Sequence, residues 1–246
     1  MDVIIRNGWL ASRLVVISTP YQARELINDA DKIPQTETRA DVANRCGIKI
    51  DGPLPMSGAQ SALFLRAFDG RTIKVLKIAH DQKKAPKECD FYEENSEEAS
   101  AHALVPVKLL KLKGDYKSKH SAKKELTYGL LMPFYAHTLE EYPIPYDADY
   151  AFPELLAAVE FMHSKEWMHG DIKPSNIFVD FKGKAWLGDY GSSVKFSDSD
   201  SFSGGTELYQ CGVDRRKFPK LFDYTGLIIS FLAKRGVKLP IPSLSQ

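Results

Sequence analysis

Three scarcities narrow the classes of protein to which this 246-residue chain can belong. There are only three cysteines, none of them in a C-x-x-C pair, so neither a disulfide framework nor a zinc site is supported. The longest apolar run near the N-terminus, Leu14–Ile17, is too short for a signal peptide, and no stretch approaches the length of a membrane span. With 33 lysines and arginines against 32 aspartates and glutamates, the net charge gives no case for nucleic-acid binding. These features favour a reduced cytoplasmic or nuclear protein.

The composition that remains is that of an ordinary globular protein. The chain is 43% hydrophobic and 26% charged, a composition typical of folded proteins rather than of disordered ones. Residues 1–46 predict one strand and one helix and contain no motif. From Gly47 the pattern changes to short β-like runs, with Asp69-Gly70 as a hairpin turn between the second and third. The predicted strands lie at 48–50, 62–67, 72–78, 105–112 and 126–134.

The second half of the chain has a helical pattern. A charged stretch, residues 81–102, predicts an exposed helix with a thin apolar stripe, and residues 150–163 and 223–233 predict two strongly apolar helices. A short hairpin, Ile177–Val179 with Ala185–Leu187, lies between those two. Because strands precede helices with one helix interposed, the sequence predicts an α+β fold with a sheet-rich first lobe.

Polar residues concentrate on two short turns around this hairpin. The first reads H-G-D-I-K-P-S-N from His169 to Asn176, and the second reads G-D-Y-G from Gly188 to Gly191. Taken alone, the first could be a helix C-terminus with ordinary surface residues. The combined run resembles the catalytic loop H-R-D-x-K-x-x-N and the metal-binding turn D-F-G of eukaryotic protein kinases.

The resemblance covers about residues 47–233 and implies a bilobal protein kinase-like fold. It divides the chain into an N-terminal extension (1–46), a kinase N-lobe (47–135) and a shortened helical C-lobe (136–246). The lysine two residues after the aspartate is typical of Ser/Thr kinases, and the motif resembles the branch of the vaccinia-related and casein kinases.

Phosphoryl transfer requires positioning and charge neutralisation more than covalent chemistry. The resemblance implies that Asp171 orients the substrate hydroxyl or accepts its proton, and that Lys173 shares the charge of the γ-phosphate. Asn176 and Asp189 supply hard oxygen ligands, which suit Mg²⁺. The expected cofactors are therefore ATP and Mg²⁺, and the expected partner is a protein substrate.

Upstream, Lys77 ends the apolar strand Val75-Leu76 and resembles the lysine of V-A-I-K, which contacts the α- and β-phosphates and pairs with a helix glutamate. Alone, a lysine there is an ordinary surface cation. Several glutamates compete as its partner; counting back from His102, where H-A-L-V resembles the family's H-P-N-I-V, indicates Glu93, with Glu97 and Glu94 as alternatives.

The rest of the nucleotide site follows from the same resemblance. Residues 56–63 align with the glycine-rich loop, of which only Gly58 remains, while Leu63 takes the place of the valine that covers adenine. Met132 and Phe134 lie in the segment that resembles the strand and hinge beside adenine. Each of these two segments can also be interpreted without a nucleotide, the first as an ordinary turn and the second as part of the hydrophobic core.

Three departures from the family pattern modify the expectation. Gly170 replaces the arginine that binds an activation-loop phosphate, which predicts a loop arranged without phosphorylation. Val213 replaces the A-P-E glutamate in the segment following Gly205. The chain ends soon after the start of the central C-lobe helix, so its apolar face (Leu227, Ile228, Phe231, Leu232) predicts a covering partner, self-association or the N-terminal extension.

Three functions fit these observations. The first is a minimal Ser/Thr protein kinase that uses ATP and Mg²⁺. The second is a pseudokinase that binds nucleotide without turnover, favoured by the eroded glycine loop and the short C-lobe. The third is a small-molecule kinase of the aminoglycoside phosphotransferase type. That group also contains H-G-D, but it typically lacks the lysine found here at position 173 and the glycine found at position 191.

Overall fold

A computed structural model gives the structure of the protein. It describes residues 48–53, 62–69, 72–79, 84–111, 115–116, 124–125, 128–135, 137–142, 148–201, 205–210 and 212–237. The chain forms two compact units, residues 1–82 with 110–131 and residues 83–109 with 132–246. The N-terminal strand and helix predicted within residues 1–46 lie outside the described residues.

The first unit is built on an antiparallel meander. Branched and aromatic residues are frequent in its strands, as expected for a pleated surface. Asp69 pairs with Thr72, which leaves a two-residue turn and confirms the predicted hairpin. The side chains of Val75 and Leu76 are buried, so this strand contributes to a core. The five-stranded sheet has the order β1 (Ile48–Pro53), β2 (Ala62–Asp69), β3 (Thr72–Ala79), β7 (Tyr128–Pro133) and β4 (Lys108–Lys111), with a separate pair β5 (Asp115–Tyr116) and β6 (Lys124–Glu125).

The second unit contains the three described α-helices and several short strands. The two apolar helices pack against each other, with the rings of Phe152 and Phe231 edge to face at 5.3 Å. Among the described helices, none is both long and apolar enough to cross a lipid bilayer. The helices are α1 (Lys84–Ala99), α2 (Ala148–Ser164) and α3 (Pro219–Lys234), and the strands are β8 (His137–Thr138), β9 (Trp167–Met168), β10 (Ile177–Val179), β11 (Ala185–Leu187) and β12 (Val194–Lys195).

Helix α1 is more deeply buried than its charged sequence predicts. Besides Phe91 and Ala99, the side chains of Glu88, Cys89 and Tyr92 are buried. The helix therefore packs within the second unit, whereas the sequence-based boundary assigned all of residues 47–135 to the first lobe. Burial is also the main cause that raises the pKa of the free Cys89 thiol to about 12.

The hairpin of β10 and β11 sets the geometry of the two motif turns. Ile177 pairs with Leu187, as the sequence predicts, so the residues that flank the pair meet at one end. There the N–H of Gly188 donates to the carbonyl of Asn176 at 3.0 Å. The two polar turns are therefore neighbours although twelve residues separate Asn176 from Gly188 in the sequence.

The apolar face predicted for the last helix is only partly exposed. Leu227 and Phe231 are buried within the second unit, because they face α2. Ile228 is 47% exposed and Leu232 is 37% exposed. The expectation of an exposed face therefore holds for two of the four residues and is wrong for the other two.

Candidate active site

The carboxylate of Asp171 lies at the centre of a closed hydrogen-bond network. Its Oδ2 accepts the ammonium of Lys173 at 2.7 Å and the amide of Asn176 at 3.2 Å. Its Oδ1 accepts the hydroxyl of Thr206 at 2.8 Å, and that hydroxyl in turn accepts from Lys173 Nζ at 2.9 Å. Of the three motif residues that the sequence grouped together, Lys173 and Asn176 thus both bond Asp171.

This network gives Asp171 a fixed orientation. Both oxygens accept from donors, which limits rotation of the carboxylate. The side chain is still 14% exposed, so an incoming hydroxyl can reach it. The ammonium of Lys173, 2.7 Å from the carboxylate, places a positive charge next to it.

Thr206 is a site residue that the sequence analysis did not identify. The segment after Gly205 resembles the family's G-T-x-x-Y-x-A, but that resemblance implied no role for the threonine. In the structure its hydroxyl connects Lys173 and Asp171 across 35 residues of sequence. Only the resemblance of this segment to the family could have indicated a role for Thr206, because a threonine in an irregular loop belongs to no periodic pattern.

The buried His169 holds the loop from the inside. The backbone N–H of Asp171 donates to His169 Nδ1 at 3.3 Å, so that nitrogen is the acceptor of the ring. The other nitrogen, Nε2, therefore carries the proton and donates to the carbonyl of Gly188 at 3.0 Å. One imidazole thus joins the catalytic loop to the turn that contains Asp189.

Asp223, at the start of α3, anchors the same loop. Its carboxylate accepts the backbone N–H of His169 at 2.8 Å, the N–H of Gly170 at 2.9 Å and Nε2 of His163 at 2.9 Å. The side chain is buried, and three donors compensate for the loss of water. Gly170 has φ of +81°, which a glycine adopts without the strain that a side chain would add.

Asn176 and Asp189, the predicted metal ligands, belong to turns that lie at one end of the hairpin. The amide nitrogen of Asn176 donates to the carbonyl and to Oδ2 of Asp171. Asp189 follows Gly188, the residue bonded to Asn176, so its carboxylate lies at the same end of the hairpin. Mg²⁺ is typically held by one or two carboxylates together with phosphate oxygens. Within the described residues, no cluster of three or more His, Cys, Asp or Glu side chains forms a metal cage by itself.

Glu88 is the buried glutamate of α1 that lies beside the D-Y-G turn, whereas the pairing of Lys77 with Glu93 stays a prediction. Glu93, like the alternatives Glu94 and Glu97, is exposed, whereas Glu88 is buried. A Cβ atom built on Gly191 would lie 3.6 Å from Glu88 Oε2 and 3.5 Å from Asp189 Oδ1. Helix α1 is interrupted at Asn95, whose φ is −127° and whose side-chain amide donates to the carbonyl of Phe91.

Tyr190, the middle residue of the turn, joins α1 to the catalytic loop. Its hydroxyl donates to the carbonyl oxygens of Val105 at 3.0 Å and Leu187 at 3.1 Å. Its ring stacks on Tyr92 at 6.3 Å and meets His169 edge to face at 5.9 Å. Complete burial raises the pKa of Tyr190 well above its usual range, so the phenol stays neutral and can donate.

The remaining predicted nucleotide residues lie in both units. In the first unit, Lys77 on β3 pairs with Phe64 on β2, which places Leu63 one step along the neighbouring strand. In the second unit, Met132 and Phe134 are half-buried at the end of β7. Gly58 lies outside the described residues. The nucleotide roles of all five stay predictions.

A model of the protein kinase domain family matches residues 73–211, more than half of the chain. The chain belongs to the protein kinase domain family. Its α+β fold and the predicted kinase resemblance are thereby confirmed. The vaccinia-related and casein kinase branch and the shortened C-lobe stay predictions.

Individual kinases match the chain only locally. The mitosis inhibitor protein kinase SWE1 of Candida albicans is 45% identical over 42 residues, 17% of this chain and 4% of its own length. The serine/threonine-protein kinase chk1 of Schizosaccharomyces pombe is 40% identical over 50 residues, 20% of this chain and 10% of its own. The serine/threonine-protein kinase mos of Atheris nitschei is 37% identical over 68 residues, 28% of this chain and 35% of its own. The chain thus spans well under two thirds of each of these relatives.

Proposed function

We propose that this protein kinase domain transfers the γ-phosphoryl group of ATP to serine or threonine hydroxyls of a protein, with Mg²⁺. The observation that carries the proposal is the closed network of Asp171, Lys173, Asn176 and Thr206. It brings an orienting carboxylate and a charge-neutralising ammonium together on one rigid loop. Those two groups are what the loose transition state of phosphoryl transfer requires.

In the proposed reaction, Asp171 accepts a hydrogen bond from the substrate hydroxyl and aligns its oxygen with the γ-phosphorus. The new O–P bond forms as the bond from the γ-phosphorus to the β–γ bridging oxygen breaks, and ADP leaves. The hydroxyl proton passes to the Asp171 carboxylate. Lys173 neutralises charge on the transferred group, and Thr206 keeps both side chains in register.

Asn176 and Asp189 would hold the metal ion through their side-chain oxygens. When bound, Mg²⁺ neutralises the phosphate oxygens of the nucleotide and fixes their orientation. The hairpin register supports this assignment, because it places the two residues at one end of β10 and β11.

Nucleotide contacts are proposed for Lys77, Leu63, Gly58, Met132 and Phe134 on the family resemblance. For the helix glutamate of the nucleotide site we propose Glu88 in place of Glu93. The support is its burial and its position beside Gly191, next to the proposed metal ligand Asp189. The cytoplasm or nucleus is proposed as the location, on the scarcity of cysteine and apolar runs.

The choice of serine and threonine as acceptors is supported by Lys173. This lysine donates to both Asp171 and Thr206, so its side chain takes up part of the space through which an acceptor hydroxyl reaches the carboxylate. Two of the similar kinases are also named serine/threonine-protein kinases. A protein acceptor, rather than a small molecule, is supported by Lys173 and Gly191, because small-molecule kinases of the aminoglycoside phosphotransferase type typically lack this lysine and this glycine.

The test is transfer of radiolabelled γ-phosphate from ATP to casein or to the protein itself, with and without Mg²⁺, by the wild type and Asp171→Asn. The proposal expects Mg²⁺-dependent labelling by the wild type and a large loss in the variant. Equal labelling by both proteins contradicts it. ATP-dependent thermal stabilisation without any labelling would instead indicate the pseudokinase.

A further inference from the structure

The exposed acidic face of α1 is paired rather than simply solvated. Glu94 places both carboxylate oxygens near Lys195 Nζ, at 3.1 Å and 3.3 Å. One turn further along, Glu98 accepts Lys165 Nζ at 2.7 Å. Both lysines belong to the segments that surround β9, so two ion pairs join α1 to the rest of the second unit.

Each of these lysines also lies over an aromatic ring. Lys195 Nζ is 5.4 Å from the centroid of Trp167, its partner in the β9–β12 pairing, and Lys165 Nζ is 5.5 Å from the centroid of Phe161. Each cation is therefore held between a carboxylate of α1 and a ring. Both contacts are attractive, and the ring limits the freedom of the lysine stem. We call these two arrangements the lysine clips.

The same two rings support α1 from its buried side. Phe91 packs edge to face on Trp167 at 5.8 Å and on Phe161 at 6.4 Å. Phe91 also lies 5.6 Å from the ring of Tyr190. Because Glu88 is one helical turn before Phe91, anything that fixes Phe91 and the outer face of α1 also fixes Glu88 beside Gly191.

We propose that Lys165 and Lys195 are positioning residues that hold α1, and with it Glu88, against the Asp189–Gly191 turn without any phosphate. The inference rests on the proposed function, since Glu88 matters only if the site binds nucleotide. Gly170 provides no cation that a phosphorylated loop could pair with. In place of the arginine that Gly170 replaces, Lys165 and Lys195 supply positive charge, and they contact α1 directly.

The expected effect is moderate because both clips are partly exposed. The side chains of Lys165 and Glu98 are 29% and 65% exposed, and those of Lys195 and Glu94 are 45% and 49% exposed. Exposed pairs of this kind shift an equilibrium by a factor of about two to five each. Loss of both clips should therefore change the local opening of α1 about tenfold, with Phe91 keeping the helix folded.

The experiment compares Lys165→Met/Lys195→Met with Lys165→Arg/Lys195→Arg. Methionine keeps the apolar stem and removes the charge, whereas arginine keeps both the charge and the contact with the ring. Lys184→Met is the matched control, because Lys184 forms a similar pair with Glu154 at 3.7 Å and lies 4.8 Å from the ring of Trp186, away from α1. Amide hydrogen exchange of residues 84–99 and kcat/KM for ATP are measured before and after phosphatase treatment.

The proposal expects exchange in α1 to rise about tenfold in the double methionine variant, with a fall of about the same size in kcat/KM. The arginine variant and Lys184→Met should match the wild type, and phosphatase should change nothing. Unchanged amide hydrogen exchange of α1 in the double methionine variant would show that the lysine clips do not hold the helix. Faster exchange with unchanged kcat/KM, or loss of wild-type activity on phosphatase treatment, overturns the positioning role. If the wild type transfers no phosphate, the proposed function fails and the exchange measurement alone decides the clips.

Discussion

The carboxylate of Asp223 accepts the backbone N–H of His169 at 2.8 Å, although 54 residues separate the two. Through this bond the first residue of the H-G-D motif is fixed to the start of α3. His169 then bonds Gly188 through its ring, and so one buried carboxylate supports both polar turns of the site. The helix is therefore part of the support of the catalytic loop as well as part of the core.

Asp223→Asn should destabilise the protein and loosen the catalytic loop. Asparagine has one acceptor oxygen and one amide group, so at least one of the three buried donors would lose its partner. The expected loss is about 3 kcal/mol of unfolding free energy, measured by urea denaturation. Asp214→Asn, which changes an exposed turn, should cost less than about 1 kcal/mol. Equal losses in the two variants would contradict the anchoring role.

Gly226→Ala should disturb the catalytic loop from the side of α3. A Cβ atom at this position would lie 2.8 Å from the carbonyl oxygen of Ile172, the residue between Asp171 and Lys173. Overpacking of this kind costs about 1–3 kcal/mol, and the displaced loop should lose most of its transfer activity.

The control for that substitution is Gly236→Ala, at the end of the same helix. Gly236 has φ of +74° and nothing within 4 Å of an added Cβ, so only backbone strain of about 1 kcal/mol is expected. Its activity should stay at the wild-type level. If Gly226→Ala is as active as Gly236→Ala, the close contact with Ile172 does not matter for the reaction.

Sequence reasoning succeeds where a motif is local. The β10–β11 hairpin and the grouping of Asp171, Lys173 and Asn176 were predicted because their spacing is short. Thr206 and Asp223 were missed as site residues because each acts across 33 or more residues, through bonds that no periodic pattern reveals.

The helix glutamate is hard to predict from the sequence for a different reason. Hydrophobic spacing identified α1, but its charged sequence hid how much of it is buried. Glu88, Phe91 and Tyr92 share one face of the helix, and that face packs on Tyr190. A count from His102 along the sequence selects Glu93 and takes no account of the break at Asn95.

Glu88→Gln should lower nucleotide affinity and transfer activity, whereas Glu93→Gln should not. The buried carboxylate next to the D-Y-G turn loses its charge in the first variant, and a charge-assisted hydrogen bond is worth about 1.5–3 kcal/mol. That range corresponds to a change of roughly 10-fold to 100-fold in kcat/KM for ATP. A larger effect for Glu93→Gln would restore the sequence-based assignment.

Thr206→Val should weaken catalysis with little change in nucleotide affinity. Valine keeps the shape but removes the hydroxyl that accepts from Lys173 and donates to Asp171, so both charged groups gain freedom. The expected fall in kcat is about 10-fold, with KM for ATP unchanged. Thr206→Ser retains the hydroxyl and should keep most of the activity; equal losses in both variants would indicate a packing effect instead.

The most direct measurement separates binding of ATP from the transfer step in the wild type and Asp171→Asn. Asparagine keeps the size of the side chain but cannot accept the hydroxyl proton. The account predicts that the equilibrium Kd for ATP with Mg²⁺ stays within about twofold, while the single-turnover rate of phosphoryl transfer falls by at least about 100-fold. Equal single-turnover rates in the two proteins would contradict the assignment of Asp171, and with it the proposed reaction.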